Sequence, residues 1–211
     1  MFDIEYKGGN TVVIATKKAT IVTDPKLSIL GLKDIVIKDA VEIATEERFS
    51  LNDQDAKIHI EGPGEYGVAD FDIKGTPVQR HLDVEGQPLL STMYRIEVGD
   101  VRIGLLGNIY EKLAEDQLEE LGVIDILILP VGGNGYTLDA TGAANLVRKI
   151  DPKVVIPVHY DDTALTYEVP QNGLDEFTIE LGAPVETTAK YKVKSIAGIP
   201  SALTVVELTR S

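Results

Sequence analysis

Hydrophobic and polar positions follow two regimes along the chain. In the first half they form short β-branched or alternating runs. Residues 11–15 and 20–23, joined through Lys17-Lys18, predict a hairpin, and residues 34–37 predict a third short strand. Lys57-Ile58-His59-Ile60 alternates polar with apolar positions, as a half-buried strand does, and puts His59 on the face away from the core. It leads into Glu61-Gly62-Pro63-Gly64-Glu65-Tyr66, whose glycines flank a proline as in a rigid turn. Residues 92–98 and 101–106 alternate on either side of Gly99-Asp100, a second hairpin signal.

The second half alternates helix and strand. Leu113, Ala114, Leu118 and Leu121 share a helical face that Gly122 closes. Residues 124–129 form a nearly continuous apolar run, the mark of a buried strand in an α/β sheet. Ala143, Leu146, Val147 and Ile150 stand at i, i+3, i+4 and i+7 of an amphipathic helix. A strand over 153–158, a helix carrying Leu174, Phe177 and Leu181 before Gly182, and a strand over 203–207 complete the series. Strands first and then β-α-β-α-β predict an α/β protein with at least one mixed sheet. No linker or internal repeat divides residues 1–211, so the expectation is one domain.

Composition narrows the chemistry. There is no cysteine, which excludes disulfides, thiolate nucleophiles and thiolate metal sites. Any metal must therefore be held by carboxylates and by His59, His81 and His159, the only histidines. A net charge of −14 repels phosphate backbones and anionic lipid, so neither nucleic acid nor membrane is an expected partner. No apolar run approaches the roughly 18 residues that span a bilayer, and the opening Met1-Phe2-Asp3-Ile4-Glu5 is acidic where a signal peptide is basic. The expectation is a cytoplasmic protein.

Two segments follow the carboxyl ends of buried strands, where ligands gather in open α/β sheets. One holds Gly132 and Gly133, which either let a backbone approach a ligand or serve an ordinary tight turn. The other holds His159, Tyr160 and Asp161. His81 and Asp83 lie in a polar stretch between strands, where a solvated loop is the plain alternative to a site. Neither a Gly-x-Ser-x-Gly turn nor a phosphate-binding loop is present, so serine hydrolase and nucleotide-kinase readings are weak.

Six pieces in order carry a family resemblance: residues 21–25 (Ile21-Val22-Thr23-Asp24-Pro25), 61–66, His81 near Asp83, 104–108, 123–133 and 155–160. Together they resemble the branch of the metallo-β-lactamase superfamily that contains lactonase-like and other metal-dependent hydrolases. The resemblance implies an αββα sandwich with its site at one edge, between the two sheets.

It also implies ligands that this chain lacks. Family enzymes carry His-x-His-x-Asp-His after the strand expected here at 34–37, and residues 38–48 contain no histidine. Where they place a metal-bridging aspartate, Gly107 is followed by Asn108, whose neutral amide cannot offset two adjacent cations. The surviving histidines are His81 and His159. Asp39, Glu42 or Glu46 are candidate replacements, although Glu42 and Glu46 at helical spacing also describe an ordinary exposed face.

Three readings follow. The first is a protein without a metal, kept for binding or assembly. The second is a hydrolase of an ester, lactone or phosphodiester, with one zinc, manganese or iron ion on His81, His159 and a carboxylate such as Asp83 or Asp161. The third is a scaffold subunit that pairs with an active relative; a homo-oligomer is a further expectation.

Overall fold

A computed structural model describes residues 1–52, 54–83 and 88–211. The chain opens with β1 (Phe2–Gly8), β2 (Thr11–Thr16), β3 (Thr20–Thr23), β4 (Val41–Ile43) and β5 (Ile58–Ile60). It continues through β6 (Gly64–Val68), β7 (Phe71–Val78), β8 (Ser91–Val98) and β9 (Val101–Leu105). Helices then alternate with strands: α1 (Glu115–Leu121), β10 (Ile126–Pro130), α2 (Ala140–Ile150), β11 (Val154–Val158) and α3 (Leu174–Leu181). The chain closes with β12 (Val185–Thr188), β13 (Tyr191–Val193) and β14 (Thr204–Leu208).

Two mixed sheets result. One has the order β13-β1-β2-β3-β4-β5 and the other β12-β14-β11-β10-β9-β8-β7-β6. Their inner faces meet over Ile4, Ile14, Ile21, Ile43, Tyr94, Ile96, Ile128 and Ile156. β10 and β11 are buried along their whole length and pair in parallel, Ile126 opposite Val154, as their unbroken apolar runs require.

All three α-helices cover the outer face of the larger sheet, where Leu129, Leu146, Val147 and Phe177 form a second core. Their ends follow local chemistry. Asp139 caps α2 by accepting from the Gly142 N–H at 2.7 Å, and Arg148 and Lys149 sit in its last turn, where the helix dipole favours positive charge. α3 stops at Gly182, whose φ of 69° a side chain would resist.

The two-sheet sandwich is the one expected, with a thinner cover on the smaller sheet. Among the described residues its outer face carries no α-helix. It is covered by the short 3-10 turn Leu27–Leu30 with Leu165, and by Ile35 and Ile37 lying over Val13, Val22 and Ala40. The strand expected at 34–37 is therefore a cover segment; its Ile35 N–H donates to Pro25 O at 3.0 Å, outside any ladder. The strand itself is β4, parallel to β3 and β5. Glu42 lies on that strand and Glu46 just beyond it, and both are buried, so they do not form the exposed helical face that their spacing allowed. The turn expected over 61–66 is shorter, because β6 begins at Gly64.

The described residues contain no helix long and apolar enough to cross a membrane.

Candidate functional site

Strand direction brings the loops together. β3 and β4 are parallel, as are β9, β10 and β11, and β7, antiparallel to β8, runs with β9. The turn after β1 and the loops after β3, β4, β7, β9, β10 and β11 thus converge on one edge between the sheets. They deliver Asn10, Asp24, Thr45, Glu46, Arg48, Arg80, Asn108, Gly132 and His159. Cross-links show that the two sheets meet there: the His159 N–H donates to Gly9 O at 2.8 Å, and the Thr92 N–H donates to Thr45 O at 2.8 Å. Asp24 (φ 42°) and His159 (φ 50°) hold left-handed backbone, a conformation costly for side-chain-bearing residues and concentrated at functional or tightly constrained turns.

His159 is 2% exposed. Its Nδ1 lies 3.1 Å from Gln171 Oε1, and Gln171 Nε2 donates to Val169 O at 2.6 Å. That second bond orients the amide, so Nδ1 carries the imidazole proton and donates it to Oε1. The ring stacks on Tyr136 (centroids 5.4 Å apart, planes 15° apart) and meets Tyr167 at 5.0 Å on a tilted face. Burial drives its pKa down to about 4, with the nearby Arg48 charge acting in the same direction. The protein keeps this histidine neutral. Gly132 is required beside it, because a Cβ there would lie 2.3 Å from both Gln171 Oε1 and His159 O. Gly133 takes φ 67° in the following turn, its N–H donating to Leu138 O.

Asp24 is buried and accepts from the Thr45 N–H and Thr45 Oγ1, both at 2.7 Å. Burial raises its pKa to about 7 in spite of those bonds. Glu46, 2% exposed, faces Arg48 Nε at 2.9 Å and Arg80 Nη1 at 3.5 Å. Burial raises its pKa against the pull of both arginines. Arg80 also forks onto Asp83, at 2.9 and 2.6 Å. The Arg48 guanidinium lies over the Phe49 and Tyr136 rings, 4.7 and 5.3 Å from their centroids. Arg48, Tyr136, His159 and Tyr167 thus form one continuous stack.

Asn108 is buried, and its Oδ1 accepts from Asn10 Nδ2 at 3.0 Å; Asn10 Oδ1 and Asn108 Nδ2 have no partner among the described residues. The His81 N–H donates to Asn108 O at 2.9 Å and its ring lies 6.3 Å from Tyr110, while its Nδ1 is buried without a partner among the described residues. The remaining expected residues lie apart from this cluster. Asp39 is exposed in a turn at φ 60°, bonded through its N–H to Asp55 O. Tyr160 packs on Tyr6 at 5.9 Å, and Asp161 is exposed. His59 pairs with Glu42 at 3.4 Å on the edge strand β5.

These residues do not fit a divalent metal. Among those described, no three His, Asp or Glu side chains converge as a ligand set. The space beside Asn10, Asp24, Phe49 and His159 is a cavity of about 10 Å³, room for about one water. A larger groove of about 320 Å³ lies elsewhere, over Glu65, Lys74, Arg95 and Glu97 on β6–β8. Arg48, Tyr136 and Gln171 were not singled out as site residues by sequence, and Glu46 only as a candidate replacement ligand. Gln171 stands twelve positions beyond His159 in a loop with no periodic signal, and Glu46 was indistinguishable from a surface acid.

A family model described as a β-lactamase superfamily domain matches residues 3–159. A UPF0173 protein of Pyrococcus furiosus is 37% identical over 67 residues, 32% of this chain and 30% of that protein. A UPF0173 metal-dependent hydrolase of Carboxydothermus hydrogenoformans is 34% identical over 101 residues, 48% of this chain and 35% of the relative. The match thus spans about a third of the length of these two relatives. In a candidate zinc-dependent hydrolase of the metallo-β-lactamase superfamily from Thermotoga maritima, the fold recurs with a TM-score of 0.77 and 24% identity, over 99% of this chain and 100% of that one. A metallo hydrolase of Ignicoccus hospitalis shares it at a TM-score of 0.68 and 17% identity, over 99% and 95% of the two chains.

Proposed function

The chain belongs to the β-lactamase superfamily, and on that premise we propose that it is a metal-independent member that works by binding or assembly. UPF0173 metal-dependent hydrolases are among its relatives, so the proposal is a departure from what those relatives are called. The observation that carries it is the state of the cleft's donors. Asp83 is spanned by Arg80, Glu46 faces two guanidinium groups, and the His159 ring is enclosed by two tyrosines, so among the described residues no carboxylate is left to join an imidazole in a ligand set. Holding a hydrolytic metal takes about three protein ligands and one open position. Bringing the pKa of a bound water to about 7 takes an ion held that firmly.

A second reading draws on His81, whose buried Nδ1 lacks a partner among the described residues. It is a hydrolase of an ester, lactone or phosphodiester with one divalent ion on His81, His159 and a carboxylate. For Asp83 to serve, the two Arg80 bonds would have to break.

Elemental analysis after dialysis against zinc, manganese and iron in turn separates the two, with His159→Ala alongside. The metal-independent reading expects no stoichiometric metal in either protein and an unfolding temperature that chelator leaves unchanged. Near-stoichiometric metal that His159→Ala loses overturns it, and directs the protein to ester, lactone and phosphodiester substrates. Light scattering then reports whether the assembly is of this chain with itself.

A further inference from the structure

Resting on the metal-independent reading, we propose that the Arg48 guanidinium is the built-in cation of this cleft, a charge supplied by the chain itself that fastens the loop after β4 to the loops after β7, β10 and β11. Its reach supports this. Nε lies 2.9 Å from the buried Glu46, and Glu46 also faces Arg80 of the loop after β7 at 3.5 Å. The planar cation lies 5.3 Å over Tyr136, and Tyr136 stacks on His159 at 5.4 Å. One side chain therefore touches, directly or through one neighbour, a residue from each of these loops.

Its field reaches the groups it does not touch. Asp24, pushed up by burial, is drawn back by Arg48, and His159, pushed down by burial, is lowered further by it. The chemistry selects arginine. A planar fork can face a carboxylate along its edge and lie on an aromatic face at once, whereas a lysine ammonium is a point charge with neither geometry. An ordinary surface ion pair of the same residues would contribute almost nothing to stability, and this contrast makes the idea testable.

The test is thermal unfolding of the full chain in chelator, comparing wild type, Arg48→Met, Arg48→Lys, Arg48→Ala, Glu46→Gln and the double variant Glu46→Gln/Arg48→Met. Arg48→Met leaves Glu46 buried with a weaker counter-charge, so its Tm falls by about 5–15 °C, reduced toward the lower end by the partial exposure of Arg48. Arg48→Lys recovers only part of that loss. The double variant unfolds at a higher temperature than Arg48→Met, because the charge left uncompensated is gone. Guanidinium ion at low millimolar concentration raises the Tm of Arg48→Ala above that seen with equal sodium chloride, and does not raise that of wild type.

An unchanged Tm in Arg48→Met overturns the proposal, as does a double variant that falls by the sum of the two single losses. These readings are taken without metal. A wild type that binds zinc in the dialysis experiment would sink the metal-independent reading, while the behaviour of the Arg48 series would still decide whether the arginine fastens the cleft.

Discussion

Replacing Asp24 by Asn changes one atom in the site and tests its electrostatics. Asp24 accepts from the Thr45 N–H through Oδ1 and contacts Thr45 Oγ1 through Oδ2. An asparagine keeps both contacts: its Oδ1 accepts from the same N–H, and its Nδ2 donates to the hydroxyl oxygen. The backbone at φ 42° also suits asparagine, which enters the left-handed region more readily than most residues.

The effect should therefore be one of charge. Burial raises the Asp24 pKa from 3.8 to about 7. Between those values the folded state holds a proton that the unfolded state has released, so wild-type stability falls as pH rises. The stabilisation is fully present below about pH 4 and gone above about pH 7. Roughly three units at about 1.4 kcal/mol each give a loss of about 4 kcal/mol, an upper value. Urea unfolding of both proteins at half-unit steps from pH 4 to pH 8 measures it. The stability of Asp24→Asn minus that of wild type should climb by about 3–4 kcal/mol across that range, then level off. Taking the difference removes the contributions the two proteins share, Glu46 and His159 among them. A difference that stays constant with pH would refute the reasoning, because it would mean that Asp24 ionises in the fold as easily as in water.

His159 should behave in the opposite sense. With its pKa lowered from 6.5 to about 4, the stability it contributes is present above about pH 6.5 and lost as pH falls toward 4, and NMR titration should find its ring neutral down to pH 5. Gly132→Ala should unfold more easily by about 1–3 kcal/mol, since the new methyl collides with Gln171 and the His159 carbonyl; denaturant titration with an unchanged midpoint would mean that the loop yields freely. Phe177→Ala removes the fully buried ring that anchors α3 to the larger sheet and should cost about 3–5 kcal/mol in the same assay, with the site residues left in place.

What the sequence revealed depended on whether a segment's neighbours were local. The strands at 126–130 and 154–158 are unbroken apolar runs and the helix at 140–150 has a periodic apolar face, so the pattern marks them. β4 has a glutamate at its centre and gives no apolar run; Glu42 is tolerated there because the Leu51 and Asn52 N–H groups and Ser50 Oγ donate to it. The edge strand β12 is exposed at three of its four positions, so no burial pattern exists to be read. The hydrophobic segment 34–37 has the composition of a strand and serves as a cover, because the place it would take beside β3 is filled by β4. In the site the same rule holds. His159 stood out because it follows a buried strand and Asn108 through the family resemblance, whereas Arg48 and Gln171 acquire their roles only from partners in other loops.

Those partners also set the charge of the cleft. A metal site needs a surplus of negative charge facing inward, and the rest of this chain, at −14, has acid to spare. Within the cleft Glu46 and Asp83 face Arg48 and Arg80, Asp24 is bonded to Thr45, His159 is neutral, and position 108, where the family resemblance implies a bridging aspartate, holds an amide bonded to Asn10. A buried site tolerates charge only when each ion has its counterpart, so an aspartate at 108 beside the present acids would add an unpaired charge. By the same reasoning, Asn108→Asp alone would not create a cation site, because the Arg48 charge would remain in the cleft and repel the ion.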